Sequence, residues 1–401
     1  MKQQAGKCQL KMSAWTLTNA LGAGSAASLK NLREQRSGLR DNDFPGIDLK
    51  TAIGRVDGIE ETELPRRLQQ FECRNNRLAM LGLNQDDFIA QVDIARSKYG
   101  ADRIGVFMGT STSGIQEAEH AFAHFDQSNI VPVEYDYWHT HNLFSLADFV
   151  SRVLNLSGPA QVISTACSSS AKVFAAAHRH IQAGFCDAAI VGGVDSLCQM
   201  TLYGFHSLQL VSTQPCRPAD AARDGISIGE AAGFALLETV EDDDDKNICL
   251  LGYGESSDAY HISSPHPEGE GARISMEQAM RMAGVSASEI DYVNLHGTAT
   301  PANDASEDKA IMTCLGSDVP CSSTKGWTGH TLGAAGITEA LFVCLCIENN
   351  FIPGSLNTKT IDPEIKADIV LENRPATVRK VLTNSFGFGG SNCSLLLGRQ
   401  G

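Results

Sequence analysis

Short apolar segments alternate with amphipathic or alanine-rich segments along much of the chain. Residues 103–108 and 187–191 each contain a continuous apolar stretch of strand length, which is typical of strands buried on both faces of a parallel sheet. Residues 173–177 are rich in alanine and predict a helix. Strands and helices that alternate in this way predict an α/β fold, whose strand ends commonly carry the functional groups.

Two features of the first part of the chain have counterparts in the second. A strand followed by Gly-Thr-Ser-Thr at 109–112 resembles a strand followed by Gly-Thr-Ala-Thr at 297–300, and the helices after Cys167 and His330 are both apolar. This similarity predicts a duplicated unit, although Gly/Thr turns also recur by chance. The acidic run at 241–245 is interpreted as a solvated turn between the halves. We therefore expect one half at 1–240 and another at 241–401.

Composition narrows the class of protein. Hydrophobic residues make up 42% and charged residues 20%, as in folded globular proteins. The net charge of -15 argues against nucleic acid, because phosphate binding requires a basic surface. We see no apolar run near the about 18 residues of a membrane span and no leader-like start, so we expect no membrane segment and a cytoplasmic location.

The twelve cysteines are scattered, and no pair has the spacing of a zinc site; the nearest two are Cys344 and Cys346. Reduced thiols in a reducing compartment, with no metal bound, are the expected state. Most of these residues should be small core side chains. Cys167 has a different context.

Cys167 lies between an apolar strand and the predicted helix that contains residues 173–177. At a helix start, the dipole and the free backbone N–H groups favour a thiolate and can stabilise an oxyanion. Cys167 is therefore a candidate nucleophile. The alternative is a buried structural cysteine in a strand-to-helix turn.

Two histidines in the second half lie beside glycine turns. His296 follows an apparent strand that ends at Val293, and His330 precedes a helix, with Lys325 five residues before it. Either histidine alone would more often be structural. Together with a cysteine nucleophile they suit acyl transfer and carbanion formation, because imidazoles can donate hydrogen bonds to a thioester oxygen as enolate charge develops.

A glycine-rich turn at 384–392 precedes the apolar strand at 393–397. A tight β-turn or a weak phosphate loop are the alternatives to a catalytic role. The absence of a Gly-Lys-Ser or Gly-Lys-Thr ending counts against a phosphate loop.

Taken in order, these motifs resemble the β-ketoacyl-acyl-carrier-protein synthase family of Cys-His-His condensing enzymes. Each motif alone is weak, but the ordered set is specific and covers nearly the whole chain. The matching residues are Thr165 to Ser169, Arg217 and Pro218, Arg223 to Gly225, Gly229 and Glu230, His296 to Thr300, Asn303 and Asp304, Lys325, Gly329 and His330, Gly333 to Gly336, and Phe386 to Gly390.

The resemblance implies a thiolase fold, a five-layered αβαβα arrangement of two similar halves. It implies that Cys167 accepts the acyl group while His296 and His330 polarise a malonyl thioester during decarboxylation. It also assigns supporting roles to other residues. These are Lys325 in positioning, Glu339 in supporting the histidines and binding a structural monovalent cation, the backbone of Cys167 and Phe388 as oxyanion hole, Phe388 as a gate beside Phe386, and Thr298, Thr300, Gly387 and Gly389 in substrate binding.

By the same resemblance the partner is an acyl carrier protein, and no redox cofactor is required. Because that carrier is acidic, a basic surface must exist, and the candidates are Arg66, Arg67, Arg74 and Arg77; a solvated helix face is the alternative. A homodimer is expected, or a heterodimer with a chain-length-factor-like subunit. A thiolase acting on coenzyme A esters and a non-catalytic chain-length factor are the rival functions. The first would carry a Cys-containing loop at 386–390, and the second usually lacks the nucleophile.

Some positions depart from the family pattern. They are residues 12–18 of the opening strand, Ala231 after Glu230, Gly326 and Trp327, and the aromatic stretch at 135–141. We interpret Trp327 and the aromatic stretch as signs of an unusual acyl substrate. Both a fatty-acid synthase and an accessory synthase of aryl-polyene or polyketide type therefore stay open.

Overall fold

The computed structural model describes residues 10–240 and 247–399, without the side chains of Asp126 and Ser128. Within these ranges the strands are β1 (Leu10–Asn19), β2 (Arg40–Asp41), β3 (Ala52–Gly54), β4 (Ile104–Gly109), β5 (Ala160–Ile163), β6 (Ala188–Asp195), β7 (Ile228–Gly229), β8 (Ala231–Thr239), β9 (Ile248–Ser257), β10 (Tyr292–Asn294), β11 (Pro320–Ser322), β12 (Phe351–Ile352), β13 (Asp368–Ile369), β14 (Arg374–Pro375), β15 (Lys380–Gly387) and β16 (Ser391–Arg399).

Most of the longer connections between the strands contain helices. The α-helices are α1 (Ser25–Arg33), α2 (Arg74–Leu83), α3 (Phe88–Tyr99), α4 (Ile115–Ser128), α5 (Ser145–Val153), α6 (Ser169–Gln182), α7 (Gln199–Ser207), α8 (Glu270–Ala283), α9 (Pro301–Cys314), α10 (Lys325–Thr328) and α11 (Ala335–Asn349). Shorter segments are the 3-10 turns Arg66–Phe71, Ala101–Arg103, Ala287–Glu289, Leu332–Ala334 and Phe388–Gly390, and a π-helical turn at Tyr137–His141.

The strand order of the first half is repeated in the second. The first half runs β1-β8-β6-β4-β5 and the second runs β9-β16-β15-β10-β11. In each half the first two pairings are antiparallel and the next two are parallel. The halves join where β1 pairs with β9. The prediction of two similar halves is therefore confirmed. The acidic run at 241–245 and the predicted boundary lie outside the described residues, so the domain limits stay a prediction.

Side chains that alternate along the strands build the layers. In β6, Ile190 packs in a cluster with α2, α3 and α5, whereas its neighbour Val191 packs in a cluster with α6 and α11. In β16, Leu395 faces α6 and α11, whereas Leu396 faces α8 and α9. Helices therefore lie on both outer faces, and α6 and α11 fill the middle. This is the predicted five-layered thiolase fold.

The central layer corrects one expectation about apolar runs. The described residues do include one helical segment, Leu332–Asn349, that is long and apolar enough to cross a membrane, with a mean hydropathy of 1.4. Of this segment 89% is buried inside the protein. Its apolar character follows from its place between two sheets, because a helix covered on all sides has no polar face.

Candidate active site

Cys167 lies in the turn between β5 and α6, directly before Ser168, the N-cap residue of the helix. Ala166 has a φ of 53°, a left-handed conformation that a side chain adopts only when its surroundings hold it there. The turn is held by Ser169, whose hydroxyl accepts the backbone N–H of Thr165 at 2.9 Å. The thiol is thereby turned towards the second half, and only 6% of the residue is exposed.

His296 follows β10 and is held by a buried carboxylate. The two oxygens of Glu307, on α9, accept the backbone N–H groups of His296 and Gly297, each at 2.8 Å. Asn384 donates to the same carboxylate at 3.1 Å. Glu307 therefore fixes the backbone on which the imidazole is mounted.

His330 comes from the turn after α10 and reaches Cys167. Its Nε2 lies 3.0 Å from the Cys167 Sγ, and its ring centroid lies 5.3 Å from that of His296. The backbone N–H of His330 donates to the Ser227 carbonyl at 2.7 Å, and its carbonyl accepts from Gly229 at 2.9 Å. The imidazole is thus mounted on a backbone that is tied to β7 at both polar groups.

Lys325 lies behind the histidines and is fully buried. Its Nζ donates to the Glu339 carboxylate and lies 3.4 Å from the Nδ1 of His296. Burial, reinforced by the Lys325 charge, lowers the pKa of both His296 and His330 well below the usual range. Both imidazoles are therefore neutral at physiological pH and available for hydrogen bonding at the thiol.

The thiol itself differs from the expected thiolate. Burial raises the pKa of Cys167 to about 11, and the charge of Lys325 and the backbone N–H of Phe388 only partly oppose this shift. The helix start alone does not outweigh desolvation, because Cys167 precedes the helix and lies in an apolar interior. The thiolate expected at the helix start is therefore not favoured, and His330 is the neighbouring base that can take the thiol proton.

A cavity of about 270 Å³ opens onto Cys167, His296 and His330. Its wall includes all the other residues that sequence analysis assigned to substrate binding or gating: Thr298, Thr300, Phe386, Gly387, Phe388 and Gly389. Thr298 and Thr300 share a hydrogen bond of 2.9 Å, and the Phe388 ring stacks on Phe205 at 5.3 Å. Phe205 was missed, because nothing in its local sequence marks it.

The donor atoms of Cys167, His296 and His330 lie within 4.8 Å of one another. Such a group could also ligate a metal ion. The buried ammonium of Lys325 beside His296 opposes a further cation there. The convergence of the three groups on an open cavity suits a reacting carbonyl group instead.

Comparison with known proteins adds to this geometry. Residues 82–243 match the beta-ketoacyl synthase N-terminal domain, and residues 248–359 match the beta-ketoacyl synthase C-terminal domain. The chain belongs to the β-ketoacyl synthase family.

Individual members of the family show how far the similarity extends. A 3-oxoacyl-(acyl-carrier-protein) synthase 2 from Staphylococcus aureus is 35% identical over 85% of this chain and 86% of that protein. Its namesake from Rhizobium meliloti is 42% identical over 61% of this chain and 62% of the relative. The ketosynthase ApeO from Xenorhabdus doucetiae, solved in complex with its chain length factor ApeC, is 38% identical over the full length of both chains, with a TM-score of 0.90.

This β-ketoacyl synthase is therefore an acyltransferase-type condensing enzyme of fatty acid or polyketide elongation. The rival functions lose support. The matching models are those of β-ketoacyl synthases and not of thiolases. The Cys167 nucleophile that a chain-length factor usually lacks is present, and His330 lies against it.

The predicted carrier-docking arginines do not form one surface. Arg74 is buried in the synthase, with 8% exposure, and donates to Glu230 at 2.7 Å and to Glu60. Its assignment to docking is wrong, because its guanidinium pairs with Glu230 and Glu60 inside the fold. Arg77 is half-buried and paired with Glu72. Arg66 and Arg67 are exposed and stay candidates.

Trp327 also has a different role from the one expected. Its ring belongs to the central core, and its Nε1 donates to the Gly354 carbonyl at 2.8 Å. It does not line the cavity at Cys167. Trp327 is therefore a packing residue of this synthase and gives no information on the acyl substrate.

Proposed function

We propose that the protein transfers an acyl group to Cys167 and condenses it with malonyl-acyl-carrier protein, releasing carbon dioxide. The observation that carries this proposal is the convergence of one thiol and two neutral imidazoles on a single cavity. Acyl transfer needs a nucleophile with an adjacent base, and decarboxylation needs donors aimed at an enolate. This site offers both.

Acyl transfer begins at the thiol. His330 Nε2 takes the proton as the Cys167 sulfur attacks the carbonyl carbon of the acyl carrier thioester. The backbone N–H groups of Cys167 and Phe388 stabilise the oxyanion that forms. Collapse breaks the bond between the carbonyl carbon and the carrier sulfur, and His330 returns the proton to the departing thiol. The products are acylated Cys167 and free carrier thiol.

Decarboxylation follows on malonyl carrier protein. Lys325 donates towards the Nδ1 of His296, which leaves the proton of that imidazole on Nε2, directed at the cavity. The Nδ1 atom of His330 has no hydrogen-bond partner within residues 10–240 and 247–399, so neither tautomer is fixed and Nε2 can accept in the first step and donate in the second. As the bond to the carboxylate breaks, its electron pair moves onto the thioester oxygen that both imidazoles bind. The resulting carbanion attacks the acyl carbon on Cys167. The bond between that carbon and the Cys167 sulfur breaks, the elongated chain stays on the carrier, and the sulfur leaves as a thiolate that takes up a proton from solvent.

The cavity wall fits a phosphopantetheine arm. Thr298 and Thr300 supply hydroxyl groups to its amides, and Gly387 and Gly389 leave room beside the thiol. The Phe388 ring, stacked on Phe205, gates access of the acyl chain. The reaction as written requires no redox cofactor.

The family resemblance implies a structural monovalent cation, and Glu339, behind the site, is the candidate residue for it. Glu339 Oε2 and Asn294 Oδ1 are buried oxygen atoms that lack a hydrogen-bond partner within the described ranges. Buried oxygens without donors suit a hard cation. We propose that Glu339 holds this cation through its Oε2.

A second subunit would cover the open edge of the first half. Among the described strands β5 pairs only with β4, so its other edge is free. Exposed apolar side chains of the first half include Phe122, Val133 and Trp138. Free edges and apolar patches are usually covered by a partner. Since ApeO is bound to a chain length factor, we propose a partner of that type, with a polyketide or aryl-polyene product and a cytoplasmic location.

The test uses the full chain, alone and coexpressed with candidate partner subunits. Purified protein is incubated with acyl and then radiolabelled malonyl carrier proteins, and the mass of the Cys167 peptide and the elongated product are measured. We expect an acyl mass shift on Cys167 and a product two carbons longer. An unmodified Cys167 in an active preparation would overturn the proposal. Light scattering shows whether the protein is dimeric, and mass spectrometry of the intact subunits decides between a homodimer and a heterodimer.

A further inference from the structure

Asp195 lies at the end of β6 and is fully buried. No ion pair of its carboxylate is found within residues 10–240 and 247–399. Instead, Oδ1 accepts four hydrogen bonds from the turn after β4. The donors are Thr110 Oγ1 at 2.7 Å, Ser111 N at 2.8 Å, and Thr112 N and Oγ1, both at 3.0 Å. A buried carboxylate held by neutral donors is unusual and needs an explanation.

The second oxygen reaches across to the other half. Asp195 Oδ2 accepts the backbone N–H of Gly333 at 2.6 Å and the hydroxyl of Ser111. A Cβ atom at Gly333 would lie 2.8 Å from this oxygen and 2.6 Å from Ser111 N. Only glycine permits the contact. Asp195 therefore connects the turn at 110–112 to the segment after His330.

Gly333 lies three residues after the catalytic imidazole. Of the two residues between them, Leu332 has a φ of 53°, which a leucine adopts only under constraint. The backbone of His330 itself is tied to β7 on the opposite side. Asp195 thus supplies a second constraint, at Gly333, on the segment after His330.

The charge of Asp195 does not help the thiol. It lies close enough to Cys167 to raise the pKa of that thiol further, in addition to the dominant effect of burial. A residue that activates the thiol would lower the pKa of Cys167. The role of Asp195 is therefore structural positioning.

We propose that Asp195 is a positioning residue that fixes His330 Nε2 against Cys167 by holding Gly333 to the turn at 110–112. The inference rests on the proposed function, since it concerns the same imidazole. Asp195→Asn keeps the size of the side chain but turns an NH2 group towards backbone N–H donors. The variant therefore loses its hydrogen bond either to Gly333 or to the turn at 110–112.

The experiment measures malonyl decarboxylation and iodoacetamide modification of Cys167 on the same preparations. For Asp195→Asn we expect kcat for decarboxylation to fall by about tenfold or more, given that losing a whole oxyanion donor costs about 100- to 1000-fold. KM should change less than about twofold, because the carrier contacts are untouched. Alkylation at fixed pH should slow as well, because a displaced His330 takes up the thiol proton less readily; removal of the negative charge of Asp195 acts in the opposite direction.

Asp308→Asn is the matched control. Asp308 is also buried, and its carboxylate accepts two backbone N–H groups, from Lys366 at 2.9 Å and Ala367 at 2.8 Å, away from the cavity at Cys167. We expect wild-type kcat and alkylation for this variant. Wild-type kcat in folded Asp195→Asn would overturn the inference, and so would alkylation faster than in the wild type, which would assign the effect of Asp195 to its charge alone. If Asp195→Asn does not fold, Ser111→Ala removes one donor and keeps the charge; an unchanged kcat there overturns the inference as well.

Failure of the proposed function looks different. If the wild-type enzyme releases no carbon dioxide from malonyl carrier protein, the proposed function fails. If the wild type does so and Asp195→Asn matches it, only the positioning role fails.

Discussion

The Nε2 atom of His330 lies 3.0 Å from the Sγ atom of Cys167, although 163 positions separate the two residues along the chain. Each half of the fold supplies one of them: Cys167 lies in the turn between β5 and α6, and His330 lies in the turn after α10. Because the thiol is buried and protonated, this contact is the route by which it can lose its proton. The two half-reactions share His330 but depend on Cys167 to different degrees.

Cys167→Gln should abolish condensation and retain decarboxylation of malonyl carrier protein. The uncharged amide occupies the place of the acylated thiol but cannot accept an acyl group. His296→Ala or His330→Ala should lower decarboxylation by about 100- to 1000-fold per donor removed. Radiolabelled acyl transfer and carbon dioxide release are measured on the same preparations.

Cys314→Ser serves as the control, since this partly exposed thiol lies on α9 and does not line the cavity. It should behave as the wild type in both assays. A histidine variant that releases carbon dioxide at the wild-type rate would show that its imidazole is structural.

The reaction of Cys167 with iodoacetamide should accelerate with pH well beyond neutrality. The pKa of about 11 leaves the thiol protonated at pH 7. Each rise of one pH unit towards that value therefore increases the thiolate fraction about tenfold. Lys325→Met should slow the reaction, because the lysine charge favours the thiolate. Peptide mapping across pH 7 to about 10 measures both effects.

Cys167 should still be modified first. Burial also raises the pKa of Cys216 and Cys249 to about 11, so thiol acidity does not distinguish these residues. Access through the cavity distinguishes Cys167, which lines it, from Cys216 and Cys249, which do not. Modification of Cys216 before Cys167, with activity preserved, would contradict the assignment of the nucleophile.

The sequence predicted the reacting groups better than their surroundings. Cys167 lies in a strand-to-helix turn, and His296 and His330 lie beside glycine turns. All three are recognisable because these features are local. The burial of Arg74 depends on Glu230, which is 156 positions away. A partner at that distance leaves no mark in the local pattern of a basic helix.

The same limit applies to the charge states. The raised pKa of Cys167 results from the packing of both halves around the thiol, and a helix-start argument considers one element only. Asp195 ends an apolar strand and has no motif around it, so its six donors appear only in the fold.

Replacing Arg66 and Arg67 with Glu should weaken turnover that depends on the carrier protein and flatten its response to salt. Exposed charges mainly steer association, and salt screens them. Rates are measured at low and high ionic strength. Alkylation of Cys167 should not change. A double variant of two exposed arginines in the second half, Arg374→Glu with Arg379→Glu, has the same change of charge and should retain turnover.

Arg74→Glu should act on stability instead of docking. Breaking the buried pair with Glu230 leaves an uncompensated buried charge, which costs about 3–5 kcal/mol. Denaturant unfolding of the variant measures the loss. An Arg74→Glu protein of wild-type stability with impaired carrier binding would restore the original assignment.

Glu307→Gln should reveal how the His296 backbone is held. Burial raises the pKa of Glu307 to about 7 although two backbone N–H groups and Asn384 oppose the shift. The folded state therefore binds a proton more tightly than the unfolded state does. The stability that this group contributes is present below its unfolded pKa of about 4.5 and is lost as pH rises through about 7. In the variant the free energy of unfolding should depend less on pH across this window.

The rate of decarboxylation should change with pH in the direction opposite to that of stability. Both N–H groups of the His296 turn need acceptors, and only the carboxylate offers two. Decarboxylation by the wild type should therefore decline below about pH 7, where Glu307 becomes protonated. The decarboxylation rate of Glu307→Gln should not fall further at acid pH. It should be about tenfold lower than that of the wild type at all pH values, because one unsatisfied buried donor costs about 1–3 kcal/mol. Glu348→Gln, at the end of α11, should keep the wild-type profile. An acid limb that persists unchanged in Glu307→Gln would assign it to another group, and Glu339, whose pKa burial also raises to about 7, would be the next residue to replace.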